Sequence, residues 1–356
     1  MYKKKLENLE AGKVLAKPVA STEGVVFLNK GVALKENYIN KLKEKNVPAV
    51  FIKDREIPAV DEPTVISQKT RKKTVLAVKN CMQAVRNHNK LDIKDVSNAA
   101  NSLIDELQQN KDALVHLNDI RAYNEYTFGH SIDVAILSLM TAMKLNYNQL
   151  ELKKLAIGTL LHDIGKTKID EDILMKPGQL TGQEFAEVKK HANIGYNILR
   201  NNEEVSIISA HVAYQHHERY NGSGYPRGLK EEQILEIAQI AAVADAYDAI
   251  TTDRVYKEAL PPYKAIQIIK EERDKGKWNS RVVKQFLKNI PAYPVGSIVK
   301  LSNGQIGIVI KLDKYNKYEP VVRLIKEKNG EKIDALIEIN LSKRKDLEIA
   351  SVIKAN

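Results

Sequence analysis

A chain of 356 residues has room for two or three domains and at least one full-sized core. Its 43% hydrophobic and 28% charged residues are ordinary for a soluble globular protein, and one cysteine, Cys81, excludes an intramolecular disulfide and suits a reducing cytosol. The formal charge of +11 does not by itself indicate a nucleic-acid polymer as partner: the lysines alternate with acids, as in EKNGEKIDALIEI, and no basic block is interleaved with aromatics. A solvated lysine-rich surface accounts for it, and the same field would attract an anionic small molecule.

In chain order, the opening MYKKKLENLEAGK lacks the apolar core of a signal peptide. No apolar run reaches the roughly 18 residues of a membrane span, so a cytoplasmic location is expected. Residues 1–60 read as a small α/β module, with VVFLNKG and AVFI as strands around a short amphipathic helix, ENYINKLKEKN. Residues 61–117 are polar, basic and helical, as in a linker. From 118 to 290 long apolar-periodic helices dominate, broken by MKPGQL and NGSGYPRG. Thr181-Gly-Gln-Glu184 is a capping box and starts one of them. In 291–356, YPVGSIVKL and QIGIVIKL flank an Asn-Gly turn, with a second at Asn329-Gly330, as in a small β-domain. The fold expected is mostly α, a helical bundle with a small module at each end.

Five of the eight histidines fall where an aliphatic core has no use for them. His130 lies on a helix with Val134 on its apolar face, and His162 with Asp163 closes the next helix. His191 lies in the capped helix, on the face of Val188, Ala192, Gly195 and Leu199. His216 and His217 precede a Gly-rich loop, and Asp245 interrupts the apolar run ILEIAQIAAVADAYDAI. One such histidine is ordinarily a hydrogen-bonded core residue. Seven imidazoles and carboxylates in one aliphatic domain need a shared partner, because an unpaired buried carboxylate costs several kcal/mol. A pair of divalent metals serves all of them, and imidazole with carboxylate suits ions such as iron, manganese, zinc or nickel. His162 and Asp163, adjacent and about 100° apart, can grip different sides of one cluster, with Asp163 bridging the two ions. His88 and His116 lie outside this set, and His211 is at most an outer neighbour of the ligands.

These residues, with Lys166 three positions after Asp163, resemble the HD superfamily of metal-dependent phosphohydrolases. HHERYNGSGYP (216–226) and ILMKPGQLT resemble its HD-GYP subfamily over roughly 118–290. The resemblance implies an HD-type helical core and a phosphodiesterase that hydrolyses cyclic di-GMP to linear pGpG, or onward to GMP, through a metal-bridged hydroxide. It implies two metals, iron or manganese, held by His130, His162, Asp163, His191, His216, His217 and Asp245. Asp163 and Lys166 would act in catalysis. Lys166, Arg254, Gly222, Gly224, Tyr225 and Pro226 would meet the cyclic dinucleotide, and Asp248 would support a ligand. A homodimer is compatible with this reading.

Three positions depart from the family pattern. Asn221 replaces an aspartate, which bears on the loop more than on the metals, and Val255 replaces a proline after Arg254. Tyr126 stands where some members carry a glutamate for a third metal, although Glu125 is adjacent. Two other readings stay open: an HD phosphohydrolase of linear nucleotides, and a non-catalytic cyclic-dinucleotide receptor.

Overall fold

The computed structural model describes residues 2–16, 18–20, 26–45, 47, 49–53, 65–110, 126–252, 259–313, 316, 318–333 and 335–353. They form two compact units. One comprises the described residues of 65–110 and 126–290, and the other those of 2–53 and 291–353.

At the N-terminus come β1 (Tyr2–Lys5), β2 (Val14–Leu15), β3 (Val19–Ala20), β4 (Val26–Leu28), α1 (Glu36–Glu44) and β5 (Ala49–Lys53). β5 is the central strand of an antiparallel sheet ordered β1-β5-β2, and β3 pairs with β4. Ile39 and Leu42 of α1 share a cluster with Leu6, Leu15, Leu34, Val50 and Ile52. The α/β reading of this segment therefore has its elements and its own small core.

The helical unit holds α2 (Gln68–His88), α3 (Lys94–Gln109), α4 (Tyr126–Lys144), α5 (Gln149–Leu160), α6 (Glu171–Leu174), α7 (Gly182–Arg200), α8 (Ile207–Gln215), α9 (Glu236–Thr251), α10 (Pro262–Asp274) and α11 (Ser280–Leu287). α2 and α3, from the polar stretch 61–117, bury Val75, Val78, Met82 and Val85 on one side and Val96, Ala100, Leu103 and Leu107 on the other. They are tied to the rest by a buried ion pair, Arg71 Nη2 to Asp133 Oδ1 at 2.7 Å. α4 and α9 form the middle. Ile132, Val134 to Leu137 and Leu139 are buried on α4, as are Ile237 to Asp245 on α9. Neither helix has a polar face over these stretches, which places them inside the unit. α5 packs on α4 and α8, and α8 on α7. Among the described residues no helix is long and apolar enough to cross a membrane.

At the C-terminus, β6 (Ile298–Leu301), β7 (Ile306–Lys311), β8 (Val321–Lys326), β9 (Glu338–Asn340) and β10 (Ile349–Ile353) form one antiparallel sheet ordered β10-β6-β7-β8-β9. The Asn303-Gly304 turn joins β6 to β7, with Gly304 at φ +90°, a conformation that favours glycine. At Asn329-Gly330 the chain also turns, but the return leg pairs through a single bridge, Lys326 to Lys332, rather than a strand. The overall class, a helical core with a small module of strands at each end, is as the sequence suggests.

Candidate metal centre

The seven proposed ligands come from five pieces of the helical unit. α5 starts with a capping box, Asn148 with Glu151, and ends at Leu160. His162 and Asp163 therefore sit in the turn beyond it, before a 3-10 segment over Ile164–Lys168. The sequence reading placed them at the end of the helix itself. The tighter segment is possible because Gly165 faces the backbone of α7, where a Cβ would run into the His191 carbonyl. That approach brings the Asp163 turn up to His191, and sequence periodicity gives no sign of it. α7 begins at the expected capping box, Thr181 with Glu184. Lys176 reinforces this start through two hydrogen bonds to the Glu184 carboxylate, at 2.7 and 2.8 Å.

The seven side chains converge. Donor atoms of Asp163, His191, His216 and His217 lie within 4.8 Å of one another, as do those of His130, His162 and Asp245. Asp163 faces both groups. Its Oδ1 is 3.5 Å from His191 Nε2 and 3.8 Å from His216 Nε2, while its Oδ2 is 3.5 Å from His162 Nε2 and 4.0 Å from His130 Nε2. Asp245 also splits its oxygens, with Oδ1 3.2 Å from His130 Nε2 and Oδ2 3.8 Å from His217 Nδ1.

The far side is anchored on four of the five rings. His162 Nδ1–H donates to the Thr159 carbonyl at 2.6 Å, and His191 Nδ1–H to that of Val188 at 2.6 Å. His216 Nδ1–H donates to the Ala213 carbonyl at 2.9 Å. These bonds set the tautomer and turn the Nε2 lone pairs inward, as metal-ligating histidines require. On His130 the partner is a carboxylate: Nδ1 lies 2.7 Å from Asp248 Oδ2, which gives Asp248 the supporting position.

Electrostatics divides the imidazoles. Burial holds the pKa of His216 and His217 well below the ordinary histidine value, and that of His191 at about 4. His162 is lowered in the same way. All four are neutral, the form that ligates. Burial also disfavours charge on His130, but its bonds to Asp245 and Asp248 outweigh that and raise it to about 10. Burial would raise the Asp163 carboxyl, yet the ammonium of Lys166 beside it holds it well below the usual carboxylate range. Against the same burial, His130 holds Asp245 low.

The donor set fits divalent metals. Asp163 is 2% exposed, and its Oδ1 is buried with no hydrogen-bond partner. A buried anionic oxygen without a partner costs several kcal/mol. Here it faces inward-pointing imidazole nitrogens that supply no proton. An ion between them satisfies both.

Lys166 does not stand free in the cavity: its Nζ donates to Asp163 Oδ2 at 2.6 Å, and the side chain is 30% exposed. Arg254, Val255 and Glu125 lie outside the described residues. Asn221 acts within its loop, its Oδ1 accepting from Ser223 N–H at 3.1 Å and Ser223 O–H at 2.7 Å. Gly222 has φ +82°, and Gly224 packs on the chain's own backbone at 217–219. That contact folds the loop back so that Tyr225 stacks on His217, with ring centroids 4.6 Å apart. Pro226 follows it in the same loop.

Glu218 was not singled out by the sequence reading. It is 2% exposed, and its two oxygens accept from Arg227 N–H at 2.8 Å and Leu229 N–H at 3.0 Å, clamping the loop. Its place directly after the histidine pair was the available signal. His211 belongs elsewhere, in an aromatic group with Tyr196 and Tyr214.

Residues 101–282, half of the chain, match the HD domain family, and residues 298–356 match a KOW domain associated with HD domain. A cyclic di-GMP phosphodiesterase of Pseudomonas aeruginosa is 36% identical over 229 residues, covering 63% of this chain and 55% of that protein. One from Thermotoga maritima is 41% identical over 175 residues, covering 48% and 47%. A 3′3′-cGAMP-specific phosphodiesterase of Vibrio cholerae is 34% identical over 181 residues, covering 51% and 42%. The chain thus spans about half the length of the curated relatives it matches. Among solved structures, an HDG"Y"P protein from Bdellovibrio bacteriovorus aligns with a TM-score of 0.50 at 18% identity, over 80% of this chain and 97% of that one. At that identity the likeness speaks to the fold alone.

Proposed function

This chain belongs to the HD domain family, and from that premise we propose that it is a metal-dependent phosphodiesterase of cyclic dinucleotides, with cyclic di-GMP as substrate and linear pGpG as first product. The observation that carries the reading is Asp163, whose two oxygens face two separate histidine groups while one of them lacks any partner. The relatives' named activities support the substrate class.

We assign one metal to Asp163, His191, His216 and His217 and a second to His130, His162 and Asp245, with Asp163 shared between them. Iron or manganese is the expected pair, since imidazole and carboxylate suit both. Bound there, such ions would supply Lewis acidity, making water nucleophilic near neutral pH and neutralising phosphoryl charge. The chain does the rest. Four neutral imidazoles present lone pairs without having to lose a proton. Asp248 keeps His130 oriented. Lys166, part-exposed at the rim, meets a non-bridging phosphate oxygen as a compact cation. Arg254 takes the second phosphate by resemblance alone. Tyr225, stacked on His217, closes one wall of the site.

The test is a hydrolysis panel on metal-loaded protein, with cyclic di-GMP, the mixed GMP-AMP dinucleotide, a dNTP and bis(p-nitrophenyl) phosphate. Cleavage of a cyclic dinucleotide to its linear form is expected. Cleavage of the dNTP alone would replace the reading by a linear-nucleotide phosphohydrolase. Binding of the dinucleotide with no turnover would make the chain a receptor.

A further inference from the structure

Beside the metal centre the loop and α7 form a corner that the chemistry at phosphorus does not use. Tyr225, backed by His217, meets Phe185 nearly at right angles, with ring centroids 6.3 Å apart and an interplanar angle of 81°. Phe185 is thus no more than two ring spacings from a proposed metal ligand, yet it is 47% exposed. Lys189, one turn along α7, reaches over both rings, its Nζ 5.2 Å from the Phe185 centroid and 5.8 Å from that of Tyr225. Among the described residues no ion pair to a carboxylate is found for this ammonium, whereas the adjacent Lys190 pairs with Glu187. The corner is held from behind. The capping box and the Lys176–Glu184 bridge fix the start of α7, and Glu218 clamps the loop that carries Tyr225.

We propose that this corner is the base-reading subsite of the enzyme: one purine of the substrate stacks on the exposed ring of Phe185 with an edge against Tyr225, and Lys189 donates to its acceptor edge. The proposal deepens the phosphodiesterase reading and rests on it. Aromatic faces accept any base by stacking, so the rings supply affinity without choice. Choice comes from Lys189, which can only donate. Guanine presents two neighbouring acceptors, O6 and N7, whereas adenine presents a donor, N6–H2, beside N7. A lysine here therefore selects guanine. Because one corner reads one base, a dinucleotide needs a single guanine to be held.

Calorimetry on metal-loaded protein with GMP and AMP as probes tests the corner apart from turnover. Wild-type protein is expected to bind GMP at least tenfold more tightly than AMP. Phe185→Ala should weaken both by at least tenfold and keep their ratio. Lys189→Glu should bring the ratio to one or below, since its carboxylate accepts from adenine N6 and repels guanine O6, while Lys189→Arg keeps the guanine preference. In hydrolysis, kcat/KM for cyclic di-GMP should fall at least tenfold further in Phe185→Ala and Lys189→Glu than kcat/KM for bis(p-nitrophenyl) phosphate, which has no base. Equal affinity of wild-type protein for GMP and AMP, or a ratio that Lys189→Glu leaves unchanged, overturns the role of Lys189. Unchanged affinities in Phe185→Ala overturn the platform. The two readings fail separately. Cyclic-dinucleotide cleavage with base-blind variants removes the corner alone. The expected GMP and AMP pattern without cleavage of any dinucleotide removes the phosphodiesterase reading and keeps the corner.

Discussion

The two halves of the centre are built from the same residue types and hold their protons differently. Around Asp163 Oδ1, His191 and His216 are anchored by backbone carbonyls and are neutral. Around Asp245, His130 lies between two carboxylates and keeps its proton up to about pH 10. One half is ready to take an ion, while the other must first lose a proton. What decides this is the partner behind each ring: a carbonyl orients an imidazole, but a carboxylate also charges it.

Asp163→Ala breaks the comparison most completely, because that carboxylate faces both halves. We expect both metals to be lost and hydrolysis to fall by more than about a hundredfold, beyond the usual loss for an outer partner of a ligand. Helical circular dichroism should persist. Elemental analysis of freshly purified protein reads the first effect, and unchanged metal content would remove Asp163 from its bridging place.

Lys166→Ala should leave the metals in place and lower kcat by about tenfold to a thousandfold, the range for a donor to developing charge. Its Nζ lies 2.6 Å from Asp163 Oδ2. Unchanged turnover with altered metal affinity would make it a partner of the carboxylate only.

Asp248→Asn sharpens the difference between the halves. It keeps the shape behind His130 but removes a charge, so affinity for the second ion should drop by about tenfold to a hundredfold. The pH dependence follows from the same pair. In metal-free protein His130 is protonated below about pH 10, and a ligating imidazole must be neutral. Second-ion affinity should therefore rise about tenfold per pH unit between neutral pH and that value, with release of one proton. In Asp248→Asn the His130 pKa falls and the slope flattens. Calorimetry in buffers of different ionisation enthalpy counts the proton, and a pH-independent affinity in the wild type would refute the assignment.

The smallest effect is expected at the base of α7. Thr181→Ala removes the hydroxyl that accepts from Glu184 N–H and should cost about 1 kcal/mol. A urea midpoint unchanged by this substitution would show that the Lys176–Glu184 bridge alone holds the helix start.

Much of the centre was legible because its chemistry contradicts its surroundings. A histidine or aspartate inside aliphatic periodicity, as at His191 or Asp245, is conspicuous in one dimension. The capping box at Thr181 was legible for a similar reason, being a local pattern with a local partner. What stayed hidden depends on partners far along the chain. Asp248 was expected to support a ligand, but which one was hidden: only the fold brings it 2.7 Å from His130, 118 residues earlier. Glu218 looked like one more charged residue until two backbone N–H groups from the far side of its loop were found on it. Gly165 drew no notice in the sequence, although its lack of a side chain lets α7 approach the Asp163 turn. The end of α5 was misplaced because apolar spacing continues through Leu161 and Ile164, both buried, while the backbone has already tightened.

The central claim is that one carboxylate, Asp163, holds two ions together, and anaerobic titration of metal-free protein with Fe(II) or Mn(II) tests it most directly. The account predicts two ions per chain in the wild type and fewer than one in Asp163→Ala. Two ions retained by Asp163→Ala, or a single ion in a wild-type protein that fully hydrolyses its substrate, would contradict it.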